Sequence, residues 1–251
     1  MTRHCQCTRI YFLFAVLILF ICTLTTCTDD QNPFFDLTGT WTGISVSESR
    51  GDLFSADFVQ WTDSTSGVDS VSGTIHVEGG IPYRGQVAGT HCVGVAYGPC
   101  PADVILEVSG DGNEMDGSAV DRPGVDCNNS VEVTMFRNRE PLFDISGNWS
   151  GVYSGTDGDG SFLMSLTQAG SSVTGYIFSE DTMSVAGNVF GNDFVGSVIE
   201  TNTDCLPTVL HFRISPTSMI GRAVGGGSDF TSACEFRADV TMTGTASALK
   251  H

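Results

Sequence analysis

Phe35-Asp36-Leu37-Thr38-Gly39-Thr40-Trp41-Thr42-Gly43 and, about 108 residues further on, Phe143-Asp144-Ile145-Ser146-Gly147-Asn148-Trp149-Ser150-Gly151 spell one pattern twice. The same landmarks then return in order behind each copy. Phe54, Ala56, Phe58 and Gln60 match Phe162, Met164, Leu166 and Gln168; Gly73 matches Gly175, and Gly85 and Gly94 match Gly187 and Gly196. Cys100 matches Cys205, Met115 and Gly117 match Met219 and Gly221, and Cys127 with Met135 matches Cys234 with Met242. A repeat of this length is one module written in tandem, and it fixes where domain boundaries can fall. The reading is residues 36–139 for the first module and 140–251 for the second, with a linker near Arg137 to Leu142 that contains Pro141.

Within each module, short runs alternate apolar and polar residues. Val71, Gly73, Ile75 and Val77 share one face while Ser72, Thr74 and His76 share the other. Runs of period two bounded by Gly, Asp, Asn and Ser predict antiparallel strands joined by hairpins. The 30 glycines among 251 residues fit tight turns and crowded strands, and no stretch carries a helical stripe. Eight strands are expected in the first copy, near residues 40–47, 53–60, 70–77, 82–89, 92–97, 103–109, 115–121 and 130–137, with equivalents in the second. The fold class is therefore all-β, two tandem eight-stranded antiparallel up-and-down barrels, since closure removes exposed sheet edges. The same strands also suit a pair of β-sandwiches. The largest insertion falls near Thr62 to Gly67 in copy one and predicts a longer hairpin loop beside Trp61.

The Gly39-Thr40-Trp41 and Gly147-Asn148-Trp149 triplets each open a first strand, and they resemble the G-x-W of calycins, the lipocalin and avidin superfamily. The resemblance implies that Trp41 and Trp149 close one end of each barrel. It also implies an arginine packed on the tryptophan, a role Arg137 can take in copy one and for which copy two offers no counterpart. Both copies are shorter than typical lipocalins, lack a C-terminal helix, and do not carry avidin's set of tryptophans.

Residues 1–26 open with a stretch, 1–9, that has Arg3 and Arg9 and no acid, followed by the apolar run Ile10 to Leu24, too short for a comfortable bilayer span. That is a secretory signal. Its end, Leu24-Thr25-Thr26-Cys27, resembles the lipobox of bacterial lipoproteins, although Thr26 stands where that family favours Gly, Ala or Ser. The resemblance implies acylation of Cys27, residues 27–35 as anchor and tether, and, because Thr28 rather than Asp follows the cysteine, an outer-membrane address facing periplasm or exterior. Removing the signal takes the formal charge from −18 to about −20. So acidic a chain cannot neutralise phosphates, which excludes nucleic acid as a partner and leaves lipid, not charge, as the route to a membrane.

In an oxidising compartment the aligned cysteines predict one bridge per module, Cys100 to Cys127 and Cys205 to Cys234. Cys92 aligns with Phe194 and reads as a buried, inert thiol. His91 and Cys92 are strand neighbours whose side chains point to opposite faces, so they form no nucleophile and base pair. His76 and His211 have no partner at metal-ligand spacing and read as surface strand histidines. Asp157-Gly158-Asp159-Gly160 opens like a calcium loop, but Phe162 and Gln168 occupy the positions of its glycine and its bidentate acid, and the segment reads as a hairpin turn. Asp111-Gly112-Asn113-Glu114 reads as another turn. Neither G-x-S-x-G nor H-E-x-x-H occurs, and the only lysine is Lys250. The expectation is a non-enzymatic module without cofactor or metal, holding a small apolar ligand or a protein partner through barrel-mouth loops. Trp61, which has Ala169 as its counterpart, is the contact candidate. A structural envelope protein or a periplasmic protease-inhibitor-like protein is the alternative.

Overall fold

The computed structural model describes residues 35–47, 50–65, 67–77, 79–122, 129–156, 158–179, 182–199, 206–226 and 236–249. The expected signal segment and Cys27 lie outside them. The first module forms β1 (Gly39–Val46), β2 (Gly51–Thr62), β3 (Asp69–His76), β4 (Ile81–Ala88), β5 (His91–Ala96), β6 (Ala102–Val108), β7 (Glu114–Asp121) and β8 (Ser130–Arg137). After β9 (Phe143–Asp144), the second forms β10 (Gly147–Gly155), β11 (Gly158–Ala169), β12 (Ser172–Phe178), β13 (Thr182–Phe190), β14 (Asp193–Ile199), β15 (Leu206–Ile214), β16 (Ser218–Gly226) and β17 (Phe236–Thr243). Each set of eight closes on itself in sequence order, all antiparallel: β1 pairs with both β2 and β8, and β10 with both β11 and β17. The fold is thus two up-and-down barrels, not sandwiches. A short β18 (Ser247–Ala248) pairs with β9 outside the barrels, a clasp that the alternation of so few residues could not announce.

Closing eight short strands needs close backbone approach at particular points. At Gly117 and Gly221, aligned positions on β7 and β16, an added Cβ would drive into the carbonyl oxygens of Ile105 and His211 on the neighbouring strand. A backbone atom cannot swing aside as a flexible side chain can. Gly221→Ala is expected to cost about 3 kcal/mol in urea unfolding. A loss below about 1 kcal/mol would mean that the strands shift freely there.

The barrels pack side by side through their outer faces. Ile44 of β1 and Phe136 of β8 point outward from barrel one and are buried with Phe190, Val195 and Val209 of barrel two. Around this apolar patch, Arg213 pairs with Glu114 across the joint at 2.5 Å and with buried Asp193 at 3.1 Å. Burial works against the Arg213 charge, but the hydrogen bond to Glu114 and the field of Asp193 outweigh it and hold its pKa above the ordinary value. His211 also faces Asp193, at 3.4 Å, and its ring lies 4.5 Å from that of Phe136. The expectation of a solvent-facing His211 is corrected here, because it sits on the one outer face of barrel two that the first barrel covers.

Candidate functional site

The doubled motif builds a plug at one end of each barrel. Asp36 and Asp144 accept the backbone N–H of Thr38 and Ser146, both at 2.9 Å, which turns the chain across the barrel end. Hydrogen bonding to Thr38, by side chain first and then backbone, holds the Asp36 carboxyl below its usual range. Leu37 and Ile145 drop into the core, and the hydroxyls of Thr38 and Ser146 accept the N–H of Gln60 and Gln168 at 3.0 and 2.9 Å. The glutamine oxygens in turn accept the N–H of Leu37 and Ile145, at 2.8 and 2.9 Å. Gly39 and Gly147 have φ of 135° and 131°, values that disfavour any residue with a Cβ. Trp41 and Trp149 are fully buried and donate to the carbonyls of Leu37 and Ile145 at 3.0 and 2.9 Å.

The flank of the tryptophan is covered differently in the two copies. In barrel one Arg137 lies 4.9 Å from the Trp41 ring centroid and donates to the Asp36 carbonyl. In barrel two its counterpart is Gly244, whose backbone rests on the Trp149 ring, and the chain runs on through buried Ala246 to β18. The C-terminal segment does the covering that Arg137 does in the first copy.

Inside the barrels the aligned glycines of β4 and β5, Gly85 and Gly94, leave a hollow. Tyr83 fills it: its buried ring reaches over both glycines, and its hydroxyl lies 3.2 Å from the Cys92 sulfur. Burial pushes both the Tyr83 hydroxyl and the Cys92 thiol up. In barrel two Gly187 and Gly196 leave the same hollow, and Phe194 fills it, stacked on Phe212 at 6.0 Å. Tyr83 aligns with Val185 and Cys92 with Phe194, so the large ring has moved from one strand to the next while the layer stays full. Cys92 is free and buried, and His91 beside it points to solvent. Single-strand alternation placed that pair correctly; it could not show which ring occupies the space.

At the end away from the tryptophans, the strand ends of β5, β6, β7 and β8 that flank Cys100 and Cys127 come together, with Arg122 N–H donating to the Pro101 carbonyl at 2.9 Å. Cys100 is disulfide-bonded; Cys127, Cys205 and Cys234 lie outside the described residues. Trp61 is 47% exposed on β2, but at the tryptophan-plugged end, beside the longer connection from Asp63 to Val68. It is therefore not among the loops of the cysteine-bearing mouth. The Ser109 to Glu114 segment is a turn, as read, in which Asp111 accepts hydrogen bonds from Ser109 and Asn113. Of the calcium-like stretch, Asp157 lies outside the described residues, while Gly158, at φ 109°, Asp159 and Gly160 begin β11, which pairs with β10. His76 meets Asp57 at 2.9 Å on the exposed outer face of barrel one.

No protein-family description matches the chain, and no curated protein matches it. Among solved structures it is similar to a protein of unknown function from the DUF3598 family of Nostoc punctiforme PCC 73102. That likeness has 14% identity and a TM-score of 0.25, and covers 84% of this chain and 96% of the other.

Proposed function

We propose that the chain is a lipid-anchored, non-enzymatic binding protein of the cell envelope that meets a protein partner through the surfaces of its barrels. The observation that carries this choice over an interior ligand is the filling of both glycine hollows, by Tyr83 and by Phe194. An eight-stranded barrel has room for packed side chains or for one small ligand, not both. Bridges from Cys100 to Cys127 and from Cys205 to Cys234 would brace the mouth loops as fixed display elements, each restricting the unfolded chain by about 3–4 kcal/mol. The anchor supports the envelope location, and the strong negative charge favours a partner with a basic contact surface.

The test is native mass spectrometry of the protein extracted from membranes, wild type against Cys27→Ser. The wild type should carry the polypeptide plus acyl groups on Cys27 and nothing that denaturation releases, and Cys27→Ser should lose the acyl mass. A small apolar molecule retained by the folded protein and shed on unfolding would replace the surface reading with an interior one. Equal mass modification in both proteins would remove the anchor.

A further inference from the structure

The joint between the barrels is heterologous: it uses the β1 side of one module and the β14/β15 side of the other. Strand for strand, barrel two has its own β1-type side, centred on β10 and flanked by β17 and β11, and barrel one its own β14/β15-type side, on β5 and β6. Neither is covered. In an eight-stranded ring the side around β11 lies opposite β15, and the side around β5 lies opposite β1, so the two unused faces stand at opposite ends of the molecule.

Both unused faces are apolar where solvent-facing strands are usually polar. Val152 is the counterpart of Ile44; Ile44 is 6% exposed in the joint and Val152 57%. Beside Val152 run Leu163 and, paired with it on β12, Phe178, whose ring contacts Tyr176. Barrel one has Ser55, His76 and Thr74 at these three places, with His76 exposed, so this apolar extension beyond Val152 is particular to barrel two. An open depression of about 570 Å³ adjoins Val152, between Asp159 and Asp239. On the other face Val93 and Ile105 are directly paired across β5 and β6, 52% and 55% exposed, and Val93 is the counterpart of the buried Val195.

From this continuity with the intramolecular joint we infer that the occupant is a second copy of the chain, docked head to tail, with the β10–β12 face of one molecule on the β5/β6 face of the next. A heterologous contact that uses different faces at opposite ends does not close at two; it continues into a row or ring. Thr243 stands where Phe136 gives the internal joint its largest ring, and Asp103 where Val209 stands, so the external joint is the weaker of the two. The inference goes beyond the proposed function and needs neither the acyl anchor nor a foreign partner.

The test is sedimentation velocity of the mature chain, residues 27–251 with Cys27→Ser so that no lipid contributes, from about 1 to 200 μM. Wild type should sediment faster with concentration and pass beyond the dimer. Leu163→Ser with Phe178→His puts barrel one's own residues on one face; Val93→Ser with Ile105→Thr blunts the other. Each double variant should weaken self-association about tenfold or more. Their equimolar mixture should form a dimer and stop there, since one good face of each kind remains. A wild type that stays monomeric throughout overturns the inference. So does a mixture that fails to dimerise, and so does one double variant that dimerises alone as well as wild type, which would mean that a face pairs with itself. Circular dichroism and cooperative unfolding of each variant must match wild type, and the face assignment fails if Leu163→Glu in a folded chain leaves association unchanged.

Discussion

Replacing Trp149 by alanine is expected to destabilise the second barrel by about 3–5 kcal/mol, the range for deleting a buried tryptophan. The ring is 1% exposed, with Ile145 beneath it and Gly244 against its flank. Truncation opens a cavity at the plugged end and strands the Ile145 carbonyl, which now accepts the indole N–H at 2.9 Å. It also removes the surface on which the chain rests before it reaches the β9/β18 clasp. Urea unfolding followed by circular dichroism should show the transition of one barrel moved far to lower denaturant, with the other little changed. Trp41→Ala should move the complementary transition, with the added loss of the Arg137 stack. A loss under about 1.5 kcal/mol at either site would mean that the plug does not rest on the tryptophan.

The second module alone, residues 141–251, should fold with β-type circular dichroism and unfold cooperatively. Its ring of strands closes through β10 and β17, and β9, β18 and Trp149 all lie within it. It should nevertheless be less stable than in the full chain by about 2–4 kcal/mol, because Phe190, Val195 and Val209 lose their cover of Ile44 and Phe136. Arg213 loses Glu114 at the same time, although its side chain is half exposed and that pair adds little. Binding of an apolar dye should rise with the exposed patch. An unfolded half beside a cooperative full chain would mean that the joint, rather than closure, holds the barrel together.

Much of this architecture could be read from the residues. Strand alternation placed the eight strands of the first barrel within a few residues, and the repeat called for eight equivalents in the second, because one face of each strand is buried and a slip by one residue would turn it outward. The glycine and tryptophan triplets marked the plugged ends. What stayed hidden is what depends on a neighbour from elsewhere in the chain. His211 reads as solvated, and nothing local marks Ile44 or Phe136 as buried, until the two barrels lie against each other. Gly244 in the place of Arg137 looks like a loss, and only the path of the C-terminal residues shows what replaces the arginine. The contact candidate Trp61 was legible as exposed, but its end of the barrel was not, since that depends on how far β2 extends past β1.

The exchanged rings of Tyr83 and Phe194 bear on how such a gene can change. Tandem copies tend to recombine with one another. A crossover between the fourth and fifth strands would join β4 to β14, crowding Tyr83 and Phe194 over one pair of glycines, or join β13 to β5, leaving Val185 and Cys92 to face an empty layer. One hybrid is overfull and the other hollow. Compensated drift inside the two barrels thus acts as a barrier to their merging, and it keeps the duplication from collapsing back into a single module.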